Sequence, residues 1–334
     1  MATGILRIQA FAARQSAPVE GVTVNIVGDG FTAARMTDAE GNAADVTLTA
    51  PDCALSLEED NTTRLPYAVC SLTASKAGYR TVRIQGIQVF AGQVTLAQPE
   101  MIPETEEDRD VENPPIVIPP HPLFAGGGGS GRAPADPCAP RVLDRVIIPK
   151  NITVHLGKPA ASARNVTVSF RRYIANVASS EVYPTWPESA LRANIHCQIS
   201  LALNRIYTEW YPSRGYSFNI TNSTSYDQYY VHGRTVFDVM VRLTDDIFNT
   251  YLRKTGTVNP YYSEYCDGKS VTCPGLKQWG TVTLAKQGKT PLQILKYYYG
   301  SNIEIVRTNN IQAIPQITRW YSRPGQYELP IIIT

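Results

Sequence analysis

The stretch Ser179-Ser180-Glu181-Val182-Tyr183-Pro184-Thr185-Trp186-Pro187-Glu188-Ser189-Ala190-Leu191 sets one carboxylate among apolar neighbours, immediately before a long helical pattern. Val182, Tyr183, Pro184 and Trp186 draw water away from Glu181, which disfavours its charged form and raises its pKa. A glutamic acid that keeps its proton near neutral pH can hand it to a leaving oxygen, as glycosidic-bond cleavage requires. On local composition alone, a solvated loop Glu beside a helix N-terminus is the better reading, because strongly perturbed acids are rare outside functional sites. The surrounding pattern reverses that.

Working outward, Tyr173 to Ser180 reads as a short helix ending at Glu181. On the other side, Pro187 suits a first helical turn and Glu188 the positive helix end. Leu191, Ile195, Ala202 and Ile206 then recur at helical spacing through about Trp210. Burial of that helix would fix Glu181 against the rest of the fold. Gln198 on it is taken to face a cleft; His196 is read as an ordinary packed or exposed residue. Further on come Gln278-Trp279-Gly280, Leu284-Ala285, Gly288, Ile294-Leu295 and Tyr298-Tyr299-Gly300.

With these motifs in this order, residues from about Asn165 to Val306 resemble the catalytic domain of the stage II sporulation protein D family. Within it, Asn176-Val177-Ala178-Ser179-Ser180-Glu181, Asn204-Arg205-Ile206-Tyr207-Thr208-Glu209 and Ile220-Thr221-Asn222-Ser223-Thr224 are similar to spore cortex-lytic enzymes that carry this domain. The resemblance implies an α+β peptidoglycan lytic transglycosylase with Glu181 as its acid and no cofactor. It implies glycan strands of peptidoglycan as partner and substrate. The location implied is the cortex and coat region of the spore, reached from the mother cell without a signal peptide. Relatives are stored as inactive precursors, so a germination protease is a further expected partner, cutting near Arg132, Arg141 or Lys150. Two departures stand out: Thr272-Cys273-Pro274-Gly275 occupies the place of a His-Gly-x-Gly run, and Ile199 that of an Arg in the long helix. Some members bind zinc through a His and two Cys; that spacing is not found here, and no metal is expected.

The second candidate stretch is Ser223-Thr224-Ser225-Tyr226-Asp227-Gln228-Tyr229-Tyr230, where Gln228 and Tyr230 resemble a family Gln-x-Tyr. Aromatic faces stack on sugar rings, and amides bond to hydroxyls and N-acetyl groups. The expected substrate-binding set is therefore Tyr183, Trp186, Gln198, Asp227, Gln228, Tyr230 and Gln278, with Asp227 a candidate second carboxylate. A Tyr-rich packed loop is the competing reading of residues 223–230. Thr244-Asp245-Asp246 is read as the start of a helix, and His155 as an outward-facing strand residue.

Residues 1–101 read differently. Leu6, Ile8 and Ala10 alternate with polar residues, as do Val22, Val24 and Ile26, and turn residues such as Gly28-Asp29-Gly30 and Asp38-Ala39-Glu40-Gly41-Asn42 separate short β-branched runs. This predicts an all-β sandwich, and Pro18-Val19-Glu20-Gly21-Val22 with Thr37-Asp38-Ala39-Glu40-Gly41 and Ala77-Gly78-Tyr79 resembles a carboxypeptidase-regulatory, transthyretin-like accessory module. Residues 102–143, with acidic Glu104 to Glu112, Pro114-Pro115, Pro119-Pro120 and Gly126 to Gly129, read as a flexible linker. The catalytic domain is expected over 144–306 and an extended tail over 307–334.

Length and composition agree with a multidomain globular chain: 334 residues, 43% hydrophobic and 18% charged. A net charge of +2 gives no electrostatic case for nucleic acid. No apolar run approaches the roughly 18 residues of a membrane span, and the N-terminus lacks a signal-peptide pattern. The six cysteines are too sparse for a disulfide framework, so free thiols are the default. Cys266 and Cys273 bracket a loop that closes either as a disulfide or as part of a metal site. Rival functional classes are a non-catalytic peptidoglycan-binding or amidase-enhancing protein and an N-acetylmuramoyl-L-alanine amidase.

Overall fold

The computed structural model describes residues 2–12, 17–105, 113–126 and 143–314. Strict alternation makes β1 (Ala2–Gln9) two-faced: Leu6 and Ile8 are fully buried, while Arg7 points out to Asp45 at 2.8 Å. After the short β2 (Phe11–Ala12) and β3 (Ala17–Pro18) come β4 (Thr23–Gly28), β5 (Phe31–Met36), β6 (Asn42–Ala50), β7 (Ala68–Ser75), β8 (Val82–Val89) and β9 (Val94–Ala97). β1 lies between antiparallel β6 and parallel β9. β4 runs antiparallel to both β5 and β7, and β7 to β8. Leu6, Ile8, Val46 and Leu48 from the first sheet meet Val24, Ile26, Leu72 and Ile84 from the second in one apolar cluster. The N-terminal region is thus two β-sheets around a shared core, with one short 3-10 helix, Cys53–Leu57, between β6 and β7.

Part of the expected linker is built into the fold. β10 (Ile116–Val117) adds parallel to β8, and the single turn α1 (Pro122–Ala125) is capped by His121, whose Nδ1 accepts from the Leu123 amide at 3.3 Å. Composition is misleading here because Ile118 and Leu123 each find an apolar site, in the first and second core respectively. The acidic and Gly-rich remainder, 106–112 and 127–142, lies outside the described residues.

Beyond it follow β11 (Ile148–Pro149), β12 (Asn151–His155), β13 (Asn165–Ser169), α2 (Phe170–Glu181), α3 (Glu188–Tyr207), β14 (Ile220–Thr221), β15 (Val236–Phe237), α4 (Asp238–Ile247), β16 (Thr250–Lys254), β17 (Tyr265–Cys266), β18 (Leu276–Lys277), α5 (Gln278–Lys286), α6 (Pro291–Tyr299), β19 (Ile303–Arg307) and β20 (Ile311–Gln312). α3 is buried along nearly its whole length, its apolar residues sharing the core with buried Asn194, His196, Gln198, Ser200 and Arg205. α2, α4, α5, α6 and β16 pack on it. Ile199, in the place of the family's Arg, is fully buried there.

Three local expectations are corrected. α4 starts at Asp238, not Thr244; Asp245 and Asp246 sit in its last turn, where Arg171 (3.4 Å) and Arg192 (2.7 Å) offset their position at the negative helix end. His155 is buried, stacked on Phe218 with ring centroids 4.6 Å apart and bonded through Nδ1 to Asn165 at 2.8 Å. Tail residues Ile311 and Gln312 pair with β11; 315–334 lie outside the described residues. No helix among the described residues is long and apolar enough to cross a membrane.

The two halves share structure. β15 pairs antiparallel with β9, extending the N-terminal sheet. The Phe90 ring lies 5.1, 5.4 and 5.3 Å from those of Tyr67, Tyr183 and Phe237, inside the C-terminal core. Phe90→Ala is expected to cost about 3–5 kcal/mol and to move one common unfolding transition, measured by denaturant titration with probes in both halves. Two separately moving transitions would contradict this.

Candidate functional site

α2 delivers Glu181 as its last residue. Ser169 caps its start, accepting from the Arg172 amide, and the Val182 amide closes its end on Ala178. The Glu181 side chain is fully buried. Three donors from three separate segments meet it. Gln198 Nε2 from mid-α3 donates to Oε2 at 2.8 Å, the Tyr265 hydroxyl from β17 donates to the same oxygen at 2.7 Å, and the Tyr229 amide donates to Oε1 at 2.9 Å. Burial pushes the Glu181 pKa up to about 7, against the pull of these donors. Oε2 already takes two donors and Oε1 one, so Oε1 keeps the free lone pair on which an acid proton would sit.

The expected binding residues divide into layers. Gln198 touches Glu181 directly. Gln228 stands one step back: its Nε2 donates to the Gln198 carbonyl (3.0 Å) and to the Tyr265 hydroxyl (3.1 Å), and its Oε1 accepts from Tyr173 (2.9 Å). Tyr230 stacks on Tyr173 at 5.4 Å and its hydroxyl meets His232 Nδ1 at 3.1 Å. Both position the site rather than face it. Asp227 is spent on structure. Its Oδ1 takes Arg205 Nε at 2.7 Å, and Oδ2 takes Tyr211 and both donors of Thr221 within 2.9 Å. This pair is buried on both sides, so removing one partner alone strands a charge at a cost of about 3–5 kcal/mol. No carboxylate contributes to the Glu181 shift.

Tyr183, Trp186 and Trp279 form an aromatic cluster, with Trp186 and Trp279 centroids 5.0 Å apart and Tyr183 at 6.0 Å from each. It is covered from the N-terminal side. Trp186 Nε1 donates to the Ser56 carbonyl at 2.9 Å, Ser56 and Thr185 hydroxyls meet at 2.6 Å, and the His121 ring lies 4.5 Å from Tyr183. The His121 amide is anchored on the Tyr67 hydroxyl at 3.0 Å. The N-terminal part and α1 therefore cover the residues that follow Glu181.

Cys266 and Cys273 form a disulfide, Cα–Cα 6.0 Å, which settles the alternatives left open by their spacing. The loop between them is organised by Asp267, whose oxygens accept from the amides of Lys269, Ser270 and Val271. Gly280 is required by close approach: a Cβ there would sit 2.0 Å from the Tyr298 hydroxyl, so the Trp279-Gly280 and Tyr298-Tyr299 motifs meet in space. Among the described residues, no group of three or more His, Cys, Asp or Glu side chains is placed to hold a metal ion.

Sequence reading missed Tyr265 and the Tyr229 amide, the two donors not on a helix. It also missed Arg234, fully buried, whose Nη1 donates to the Ser180 hydroxyl at 2.9 Å and whose pKa burial pushes down to about 10. Several buried polar atoms lack a partner, among them Nε2 and Oε1 of Gln278, Oε1 of Gln198 and Oδ1 of Asn194. Each such atom costs about 1–3 kcal/mol.

No protein-family model matches the chain, and no curated protein matches it. Solved structures give faint likenesses. The Bacillus anthracis TIE protein is 12% identical at a TM-score of 0.22, covering 50% of this chain and 26% of that one. Catechol 1,2-dioxygenase from Acinetobacter is 14% identical at 0.23, covering 35% and 58%. Klebsiella pneumoniae 5-hydroxyisourate hydrolase is 19% identical at 0.18, covering 30% and 94%. These scores are too low to carry an argument about fold or function, so the functional reading rests on the residues themselves.

The raised pKa has a sign. Between about pH 4.5 and 7 the native chain holds a proton on Glu181 that the unfolded chain has released, so stability falls as pH rises through that window. The full shift corresponds to about 3 kcal/mol. The buried neutral histidines His121 and His196, both depressed by burial, act in the opposite direction. The informative quantity is therefore the difference between wild type and Glu181→Gln. Chemical denaturation at pH 5 and pH 8 should show wild type losing about 2.5 kcal/mol relative to the variant; parallel profiles would mean an ordinary pKa.

Proposed function

We propose that the chain is a peptidoglycan lytic transglycosylase of the spore cortex, cleaving the bond between N-acetylmuramic acid and N-acetylglucosamine. The observation that carries this reading is the dry Glu181 carboxyl, brought to about pKa 7 with one lone pair free. Near neutral pH such a group both gives and takes a proton. In the first half of the reaction, the Oε1 proton passes to the glycosidic oxygen as its bond to the muramic C1 breaks. In the second, the carboxylate takes the proton of the muramic C6 hydroxyl as that oxygen bonds to C1, leaving a 1,6-anhydro end. The nucleophile belongs to the substrate, so its proximity is intramolecular. Gln198 and Tyr265 hold the charged form, and Gln278 and the Tyr183–Trp186 pair would contact the strand.

The cover over Tyr183 and Trp186 supports storage as a zymogen. Ser56, Phe90 and His121 must leave Tyr183 and Trp186 before a glycan can enter. An activating cut by a germination protease fits the segment between α1 and β11, which carries Arg132 and Arg141 outside the described residues. Lys150 is the poorer site, because its amide is bonded to Gln312 and its carbonyl to Phe170. The same closure keeps a second reading in play: a non-catalytic wall-binding or amidase-enhancing protein, for which a covered carboxylate is no handicap.

Purified cortex peptidoglycan digested with the full chain, before and after limited proteolysis, separates them. Mass spectrometry should find 1,6-anhydro muropeptides from the nicked wild type and none from nicked Glu181→Gln. Binding without any new ends would favour the second reading, and anhydro ends from the variant would remove Glu181 from the chemistry. The rate should decline about tenfold per pH unit above about 7, the alkaline limb of an acid that must start protonated; a flat profile to pH 9 would oppose that assignment. The intact chain should release at least about tenfold less than the nicked one.

A further inference from the structure

The disulfide between Cys266 and Cys273 takes no part in the chemistry drawn for Glu181, yet its place in the fold ties it to that group. β17 is two residues long, and the residue beside Cys266 is Tyr265, whose hydroxyl donates to Glu181 Oε2 at 2.7 Å and accepts from Gln228 at 3.1 Å. β17 pairs with β18, a strand equally short, Tyr265 against Leu276 and Cys266 against Lys277. So short a ladder holds little by itself. Cys273 stands just before β18, so the S–S bond joins the first strand to the approach of the second and closes the loop that Asp267 organises.

The two sulfurs have different surroundings. Cys266 is 1% exposed. Cys273 is half-buried between exposed Thr272 and Pro274. Lys277 Nζ lies 3.9 Å from Cys273 Sγ, held there by the carbonyls of Cys273 and of Gly275, the latter at 2.9 Å. An ammonium beside a sulfur attracts an incoming thiolate and stabilises the thiolate that the sulfur becomes on release. The free thiols of Cys70 and Cys197 are the opposite case, buried and pushed up to about 12 by that burial, which makes them inert.

We propose that Cys266–Cys273 is a redox-sensitive clamp on the candidate site: the bond holds Tyr265 on Glu181, and thiol–disulfide exchange with an external dithiol, entering at Cys273, releases it. One thiolate of the dithiol bonds to Cys273 Sγ as the S–S bond breaks, and Cys266 leaves as a thiolate that takes a proton. The second thiol of the reagent, deprotonated, attacks the mixed disulfide, closing the reagent's own disulfide and freeing Cys273 as a thiolate beside Lys277. The protein gains the two electrons that the dithiol loses. One of the dithiol's protons ends on Cys266, and the other is exchanged between Cys273 and solvent. Once Tyr265 is released, the Glu181 carboxylate loses one of its three donors, so the acid keeps its proton to higher pH. The same loop carries Lys269, whose Nζ meets the Glu59 carbonyl and, at 3.3 Å, Asp60 of the N-terminal half, so loosening it is felt across that contact too. The effect on a reaction rate rests on the reading of Glu181 as the working acid; the effect on structure does not.

The full chain is compared oxidised, reduced with dithiothreitol under native conditions, and reoxidised, with the 266–273 bond followed by peptide mapping. Hydrogen exchange read by mass spectrometry should speed at least about tenfold over residues 264–279 and 58–61 on reduction and return on reoxidation, while β1 against β6 stays unchanged. The chain carrying both Cys266→Ser and Cys273→Ser should match the reduced form and ignore dithiothreitol. An infrared titration of the Glu181 carboxyl, identified by its loss in Glu181→Gln, should reach its midpoint at higher pH in the reduced chain. Tyr265→Phe in the oxidised chain should reproduce that shift without loosening the loop, and reduction should then add nothing to it, an outcome that a merely structural disulfide does not produce. A bond that dithiothreitol cannot open in the folded chain, or one that opens with either readout unchanged, overturns the clamp, as does rapid exchange throughout the chain on reduction. Cleavage of cortex by nicked wild type with the loop and titration indifferent to reduction overturns the clamp and leaves the proposed function standing. A reversible response of both readouts with no cleavage in either state keeps the clamp and removes the transglycosylase reading.

Discussion

Three hydrogen bonds into a carboxylate with no contact to water are the constraint on which the rest of the structure depends. Burial alone would hold Glu181 firmly neutral; three donors alone would hold it firmly ionised. Their opposition leaves it near the middle, at about 7. Because the donors come from α3, β17 and the loop after Asp227, the balance is only as exact as the packing of these segments. Gln228 explains how they stay in register, since its one side chain bonds to Gln198, Tyr265 and Tyr173 together. Behind that loop, the Arg205–Asp227 pair, with Arg205 also stacked over Trp210 at 4.5 Å, fixes where the Tyr229 amide can lie. What looks like a polar excess in the core is a network that holds one buried carboxyl.

Tyr183 and Trp186, which follow Glu181, are covered from the other half of the chain. Ser56, Phe90 and His121 supply the surfaces against which Tyr183 and Trp186 close, and β15 locks the halves into one sheet. A polymer can reach the faces of Tyr183 and Trp186 only when these contacts open. Opening them exposes apolar rings to water unless a ligand fills the space. A glycan chain with apolar sugar faces set against Trp186 and Trp279 is the kind of occupant that does so.

Much of this was legible in the residues because it depends on local pattern. Alternation at Leu6 and Ile8 marks a two-faced strand, and the helical spacing of Leu191, Ile195, Ala202 and Ile206 marks a packed helix with Glu181 at its approach. What escaped was set by tertiary contact. Tyr265 carries no local sign of its role beyond standing next to Cys266, and an amide such as that of Tyr229 has no residue signature at all. Asp227 looked like a catalytic partner because a carboxylate in a Tyr-rich loop does not declare where its counterion is; Arg205 lies on a helix remote in sequence. The stretch 113–126 looked like linker because Pro and Gly dominate its surroundings, yet Ile116, Ile118 and Leu123 suffice to seat it. The start of α4 was misplaced because acids at Asp245 and Asp246 mimic a helix N-terminus, and the basic partners that make them tolerable at the other end come from α2 and α3.

The fate of Asp227 bears on mechanism as well as on folding. With both oxygens committed to Arg205, Tyr211 and Thr221, it cannot activate a water without leaving a buried arginine unpaired. Asp227 is therefore no ready partner for two-carboxylate hydrolysis, which asks for a free acid or base about 5–9.5 Å away. A chemistry that asks for one acid, and finds its nucleophile in the substrate, places the least demand on this arrangement. Within the proposed glycan-cleaving reading, that economy favours the intramolecular route over hydrolysis.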